Sequence, residues 1–250
     1  MTDRAKEPYS PPVRSFIKLG VVIPLANEAD NIRQLLARVL VYLQQQDRIY
    51  CVLDTISRDD TRAIISEIGA EDSRVILVWA PENQCIVDAY MRGYRAALDD
   101  GCDWILEMDG GFSHLPEEIP QFLSAMEQGY EFVGGSRFMS GGSHRSPMSR
   151  VIVSRGGSIF TNLLLKTEMT DMTSGFECFR RNALERVLDR GIVSKANFFQ
   201  TEIRYLMHQF KWREVPISYC NQDPTMGWTR LREAFQILWS MHRERRKVSV

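Results

Sequence analysis

Short apolar runs along this chain alternate with segments whose apolar residues recur at helical spacing. Residues 17–23 form a β-branched apolar run that ends at Pro24, the pattern of a strand buried on both faces. Ile32, Leu35, Leu36, Val39, Leu40 and Leu43 then share one face, which predicts an amphipathic helix over 29–46. A strand at 50–53, a helix from the polar stretch 57–61 to about Gly69, a strand at 75–79, a helix over 85–99 and a strand at 104–108 follow.

This alternation with short connections predicts an α/β fold, with a doubly wound, mostly parallel central sheet flanked by helices. Such sheets bind ligands beyond the carboxyl ends of their strands, near the point where strand order reverses. Polar clusters stand at three of those ends: Asn27-Glu28, Asp54-Thr55 and Asp109-Gly110-Gly111. In the second half, Pro116 opens a helix, and a strand at 132–134 runs into Ser136-Arg137. The glycine- and serine-rich stretch 138–147 reads as a mobile loop. A helix over 148–165, the segment 172–180, a helix over 198–209, a strand at 215–219 and an amphipathic helix over 229–246 complete the pattern. No internal repeat or linker interrupts it, so residues 16–250 read as a single domain behind a polar, proline-rich lead-in at 1–15.

Composition narrows the function. The 250 residues carry a net charge of -1, which excludes a whole-protein basic footprint for nucleic acid. The five cysteines form no CxxC pair, so neither a zinc site nor a disulfide framework is indicated, and free thiols suit a reducing cytosol. No apolar run approaches the roughly 18 residues that span a bilayer, and the first residues lack a hydrophobic signal core. A cytoplasmic protein is expected, with contact at a membrane surface left open. No GxGxxG follows the first strand, which argues against a dinucleotide oxidoreductase.

Eight segments carry a resemblance: VVIPLANE (21–28), VLD (52–54), EMDGGFSHLPEEIP (107–120), GGSRF (134–138), SRVIVSRGG (149–157), TDMTSGFECFRR (170–181), NFFQTE (197–202) and EVPISY (214–219). In this order the chain resembles the GT-A glycosyltransferases of family 2, in the dolichyl-phosphate mannosyltransferase branch. The resemblance implies a GT-A type nucleotide-binding fold that moves a sugar, with inversion, from a nucleotide-sugar donor to a polyprenyl or dolichyl phosphate. It implies a nucleotide-binding half at 16–110, an acceptor half at 111–228 and a C-terminal amphipathic helix at 229–250. Pro24, Ala26 and Glu28, with Leu53 and Asp54, match donor-binding loops. Asp109, Gly110 and Gly111 match the family's DxD motif, so Asp109 is the expected ligand of Mg²⁺ or Mn²⁺. Arg137, Arg150, Ser154 and Arg155 match positions that handle donor and acceptor phosphate.

The residues themselves fit that chemistry. A divalent cation held by a carboxylate neutralises a diphosphate leaving group. An anionic acceptor needs cationic positioning more than a base, and the planar fork of arginine supplies it. Arg150 and Ser154, four apart, share a helical face, whereas Arg155 is turned away. Glu202 is the expected base if the acceptor is instead a soluble hydroxyl. Asp109 alone also reads as a turn residue, and Glu28 as an acid near a helix N-terminus. His114 reads either as a structural hydrogen-bonding residue or as a further ligand. The C-terminal helix reads either as core packing or, through its arginines, as a contact for an anionic membrane surface.

Three departures fall on the donor side. Thr55 follows Asp54 where the family has a second acid, and Gly111 replaces the second acid of the DxD motif. Beyond 219, Asn221-Gln222 and MGWTR (226–230) replace the usual basic segments. Three explanations stand: an unusual donor, a metal held by Asp109 with water and His114, or a non-catalytic binding subunit.

Overall fold

In the computed structural model of the chain, residues 14, 16–196, 198–220 and 228–248 are described. The lead-in apart from Arg14, Asn197, and the segments around Asn221-Gln222 and at 226–227 lie outside them. β1 (Leu19–Leu25), α1 (Ile32–Leu40), β2 (Arg48–Leu53), α2 (Thr61–Glu71), β3 (Val75–Trp79), α3 (Ile86–Asp99) and β4 (Trp104–Glu107) form the regular first half. Every residue of β1 is buried, as its unbroken apolar run requires of a strand between two helical layers. β1 pairs in parallel with β2 on one side and β4 on the other, and β2 with β3.

A 3-10 turn at Pro116–Glu118 leads into α4 (Ile119–Glu127), β5 (Phe132–Ser136), β6 (Ser143–Arg145) and α5 (Met148–Leu165). β7 (Glu177–Arg180), α6 (Arg181–Arg190), α7 (Phe199–Met207), β8 (Trp212–Pro216), β9 (Ser218–Cys220) and α8 (Trp228–Val248) follow. Among the described residues the main sheet has the order β3-β2-β1-β4-β7-β5-β8. Its one antiparallel member is β7, which pairs with both β4 and β5. The mostly parallel α/β sheet flanked by helices is therefore as expected, and its order reverses at β1 and β4.

Three local expectations need correction. The helix expected over 29–46 stops at Leu40. The cause is the fully buried Asp47, which accepts the N–H groups of Gln44 (2.7 Å) and Leu19 (2.8 Å) and pairs with Arg14, drawing the chain into β2. The expected mobile loop 138–147 contains β6, paired in parallel with β9. The strand expected at 215–219 is divided between the two sheets, with the Ile217 N–H donating to the Ser136 carbonyl (3.0 Å) at the break. Two apolar layers, one around Ile32, Leu35 and Phe122 and one around Tyr94, Phe132 and Phe199, cover the faces of the sheet.

Candidate functional site

The loops after β1, β2 and β4 open from the carboxyl ends of adjacent parallel strands, the position a doubly wound sheet reserves for ligands. Their backbone trajectories interlock. Thr61 Oγ1 accepts the Glu28 N–H (2.8 Å), Ser57 Oγ accepts the Asn27 N–H (3.1 Å), and Asn27 Oδ1 accepts the Arg58 N–H (2.9 Å). Asn27 itself adopts φ +57°, a left-handed geometry that asparagine tolerates. Asp54 is buried and accepts the N–H of Ile56 (2.8 Å), closing the turn after β2. Pro24 is buried, Ala26 is exposed, and Leu53 lies in the core, so its side chain faces away from a ligand.

The loop after β4 is pressed against the end of β1. A Cβ on Gly110 would fall 2.3 Å from Leu25 Cδ2 and 3.2 Å from the Pro24 carbonyl oxygen, so a side chain there requires the Leu25 side chain to shift. Asp109 presents a side chain one third exposed. Tyr90 donates to its Oδ1 (3.1 Å) from α3. His114 is fully buried between Phe176 and Tyr219, and its Nδ1 accepts the Asp109 N–H (3.0 Å). The ring proton therefore sits on Nε2, which lies 3.8 Å from Asp109 Oδ2 and has no hydrogen-bond partner. Burial also pushes the His114 pKa down, keeping the ring neutral. Of the two readings of His114, this geometry favours the structural hydrogen-bonding one over a metal ligand: one nitrogen is engaged and the other carries a proton. An isolated bridge between His114 and Tyr219 ties the loop to β9.

Directly below Asp109, Glu107 on β4 stands opposite Glu177 on β7, both fully buried. Tyr94 and Gln200 donate to Glu107, and Arg204 pairs with Glu177 (2.6 Å). Burial first, then the neighbouring Glu177 charge, raises the Glu107 pKa well above the carboxylate range. Burial raises Glu177 to about 7 against the opposing pull of Arg204. One guanidinium thus faces two acids, and the pair retains a proton at neutral pH. Neither the Glu107–Glu177 pair nor Gln200 as its partner was anticipated; an acid in the otherwise apolar run of β4 was the available signal.

On the acceptor side the expected residues separate. Arg137 is buried, and Asp171 takes its Nε (2.7 Å) and Nη2 (2.8 Å) in a fork, with Thr173 accepting from Nη2 as well. The Arg137 charge and its hydrogen bonds outweigh burial at Asp171 and hold that carboxyl down at about 2. The fork edge expected to grip a phosphate is therefore occupied by protein. Arg150 and Ser154 are half-buried on α5 while Arg155 is exposed, consistent with their helical spacing. Glu202, expected as a base, is buried, and its two oxygens accept the N–H groups of Val193 and Ser194 (2.9 Å each). Both oxygens hold a loop, which counts against the base that a soluble hydroxyl acceptor would need.

Among the described residues no three His, Cys, Asp or Glu side chains gather into a metal cage. A cation at a nucleotide site takes only one or two carboxylates, completed by phosphate oxygens and water. Asp109, partly exposed at the crevice, fits such a donor set.

Residues 20–188 match the family model for glycosyl transferase family 2. The chain is 30% identical over 229 residues to polyprenol monophosphomannose synthase of Mycolicibacterium smegmatis, covering 89% of this chain and 86% of that one. It is 29% identical over 209 residues to undecaprenyl-phosphate mannosyltransferase of Micrococcus luteus, covering 83% and 85%. Among solved structures, it resembles glucosyl-3-phosphoglycerate synthase of Mycobacterium tuberculosis in complex with Mn²⁺, UDP and glucosyl-3-phosphoglycerate. The TM-score is 0.64 at 16% identity, covering 92% of this chain and 80% of that one. The same enzyme with UDP-glucose and phosphoglyceric acid gives 0.62 at 15% identity, covering 92% and 80%.

Proposed function

The chain belongs to glycosyl transferase family 2, and we propose that it moves a sugar, with inversion, from a nucleotide-sugar donor to a polyprenyl phosphate. The observation that carries this reading is the likeness to two polyprenyl-phosphate mannosyltransferases along most of the chain. The crevice supports it: Asp109 and the interlocked loops at Glu28 and Asp54 stand together at the strand ends.

In this reading Pro24, Ala26, Glu28 and Asp54 line the donor side, with Gly110 and Gly111 in the loop that carries Asp109. Asp109 would hold Mg²⁺ or Mn²⁺, which supplies charge neutralisation to the departing diphosphate. Tyr90 orients the Asp109 carboxylate, and the neutral His114 fixes the loop backbone. Arg150 and Ser154 would receive the acceptor phosphate, with Arg155 at the rim. Arg137, locked by Asp171, contributes its positive charge from beneath and positions the segment 136–145. A phosphate acceptor is already anionic near neutral pH, so the engagement of Glu202 elsewhere leaves the reaction intact. That engagement disfavours a soluble hydroxyl acceptor, which needs a base.

No helix among the described residues is long and apolar enough to cross a membrane. A lipid acceptor then reaches the crevice from a membrane surface, and α5 and α8 offer one route. Leu238 and Met241 bury α8 against α5, while Phe235 and Trp239 stay more than half exposed.

The test is incubation with a panel of nucleotide sugars, Mn²⁺ and detergent-dispersed polyprenyl phosphate, followed by organic extraction. Labelled sugar is expected in the lipid phase with at least one donor. Label transferred only to a soluble acceptor would overturn the assignment.

A further inference from the structure

Position 111 holds a glycine where an acid is expected, and the backbone does not require it. Its φ lies outside the left-handed region, and the three atoms nearest to a Cβ placed there all belong to Glu28. The nearest is Oε1 at 3.1 Å, followed by Cδ at 3.8 Å and Oε2 at 3.9 Å. The Glu28 carboxylate therefore lies over the backbone of Gly111, in the space a side chain at 111 would enter.

Glu28 is held there by its own loop. Its N–H donates to Thr61 Oγ1 (2.8 Å), and its carbonyl accepts the N–H groups of Asn31 (3.0 Å) and Ile32 (2.9 Å). Asn31 Nδ2 donates to Oε2 (3.2 Å), while Oε1 accepts no hydrogen bond among the described residues. The contact of Gly110 with Leu25 and the Pro24 carbonyl sets the two loops against each other, so this approach is a consequence of packing. On the other side of the loop, the buried Nε2 of His114 points without a partner at Asp109 Oδ2 from 3.8 Å. Asp109 is thus oriented from within the fold, and Glu28 brings an unengaged carboxylate oxygen from the neighbouring strand end.

We propose that Glu28 supplies, from the β1 loop, the second carboxylate that position 111 lacks. The two acids then come from two strand ends instead of one motif, and glycine at 111 is the space that Glu28 occupies. One or two carboxylates with phosphate oxygens and water complete the coordination of Mg²⁺ or Mn²⁺ at nucleotide sites. The inference rests on the donor reading of the Asp109 crevice.

The test is Mn²⁺ binding followed by electron paramagnetic resonance in the presence of UDP and, separately, GDP. Wild type, Asp109→Asn, Glu28→Gln, Glu28→Ala and the double variant Glu28→Ala/Gly111→Asp are compared, with melting temperatures as a check on folding. Glu28→Gln and Glu28→Ala are each expected to weaken Mn²⁺ about tenfold or more, and the double variant to recover most of the loss seen in Glu28→Ala, because an acid at 111 enters the space that the shortened side chain vacates. If Asp109→Asn weakens Mn²⁺ while Glu28→Gln binds as wild type, or if Gly111→Asp gives no recovery, the role of Glu28 is overturned and the donor site stands. If Asp109→Asn also binds as wild type, or wild type binds no Mn²⁺ with either nucleotide, the donor reading fails as well.

Discussion

Acidic side chains near the crevice differ chiefly in what they already accept. Glu202 receives two backbone N–H groups and Asp171 receives the Arg137 fork, so both are structural anchors. Asp109 accepts from Tyr90 and keeps a partly exposed carboxylate. Spacing in a sequence cannot separate these cases, because an acid in a motif looks the same whether its oxygens face substrate or a neighbouring loop. Glu202→Gln keeps one acceptor and turns an amide N–H₂ toward the second donor. It is expected to cost roughly 1–3 kcal/mol of stability, the scale of one unsatisfied buried donor, and to leave the transfer rate within about threefold. Thermal melts and initial rates check this; a rate loss of about a hundredfold at unchanged melting temperature would restore Glu202 as a base.

The pairing of β4 with β7 governs the floor of the site. Glu107 and Glu177 face each other across that antiparallel ladder, and Arg204, which also lies 3.8 Å from Glu214, is the cation that balances them among the described residues. Tyr94 and Tyr90 from α3, Gln200 and Arg204 from α7, Asp109 beyond β4 and Asp171 before β7 are the polar and charged groups that act on the pair. Both folded-state pKa values are raised above the ordinary glutamate value, Glu177 to about 7. The folded protein then binds more protons than the unfolded chain above about pH 4.5, so stability from this pair is complete below that value and falls as pH rises through about 7. Glu107→Gln removes the coupling. Its melting temperature relative to wild type is therefore expected to rise between pH 5 and pH 8, and a difference that is flat over that range would contradict a shared proton. The lowered titrations of His114 and of His144 on β6, both caused first by burial, are common to both proteins and cancel in the comparison.

The same elements show why parts of the fold were readable. β1 and β3 follow directly from apolar runs and α5 from helical spacing, although only β1 is buried throughout, β3 at the sheet edge being mostly half-buried and α5 burying only Ser158, Thr161 and Leu165. α1 was overestimated because Asp47, a polar residue in a polar stretch, acts through burial that only the tertiary structure creates. β6 and β9 were missed or merged because each is three residues long and exists by pairing across more than seventy positions.

For the whole molecule, the sheet reversal at β1 and β4 sets the crevice proposed for the donor, and the small β6–β9 sheet ties the proposed acceptor side to it through Tyr219 and His114. The three strand-end clusters were legible because doubly wound sheets place ligands there whatever the sequence. The pairing of Arg137 with Asp171 was not, since the partner lies more than thirty residues away and carries no positional signal. The most direct measurement compares sugar transfer to polyprenyl phosphate by wild type and by Asp109→Asn under identical donor and Mn²⁺ concentrations. Lipid-extractable product is predicted for wild type, with a loss of about a hundredfold or more in Asp109→Asn at an unchanged melting temperature. Equal rates in the two proteins, or no lipid product with any nucleotide sugar, would contradict the account.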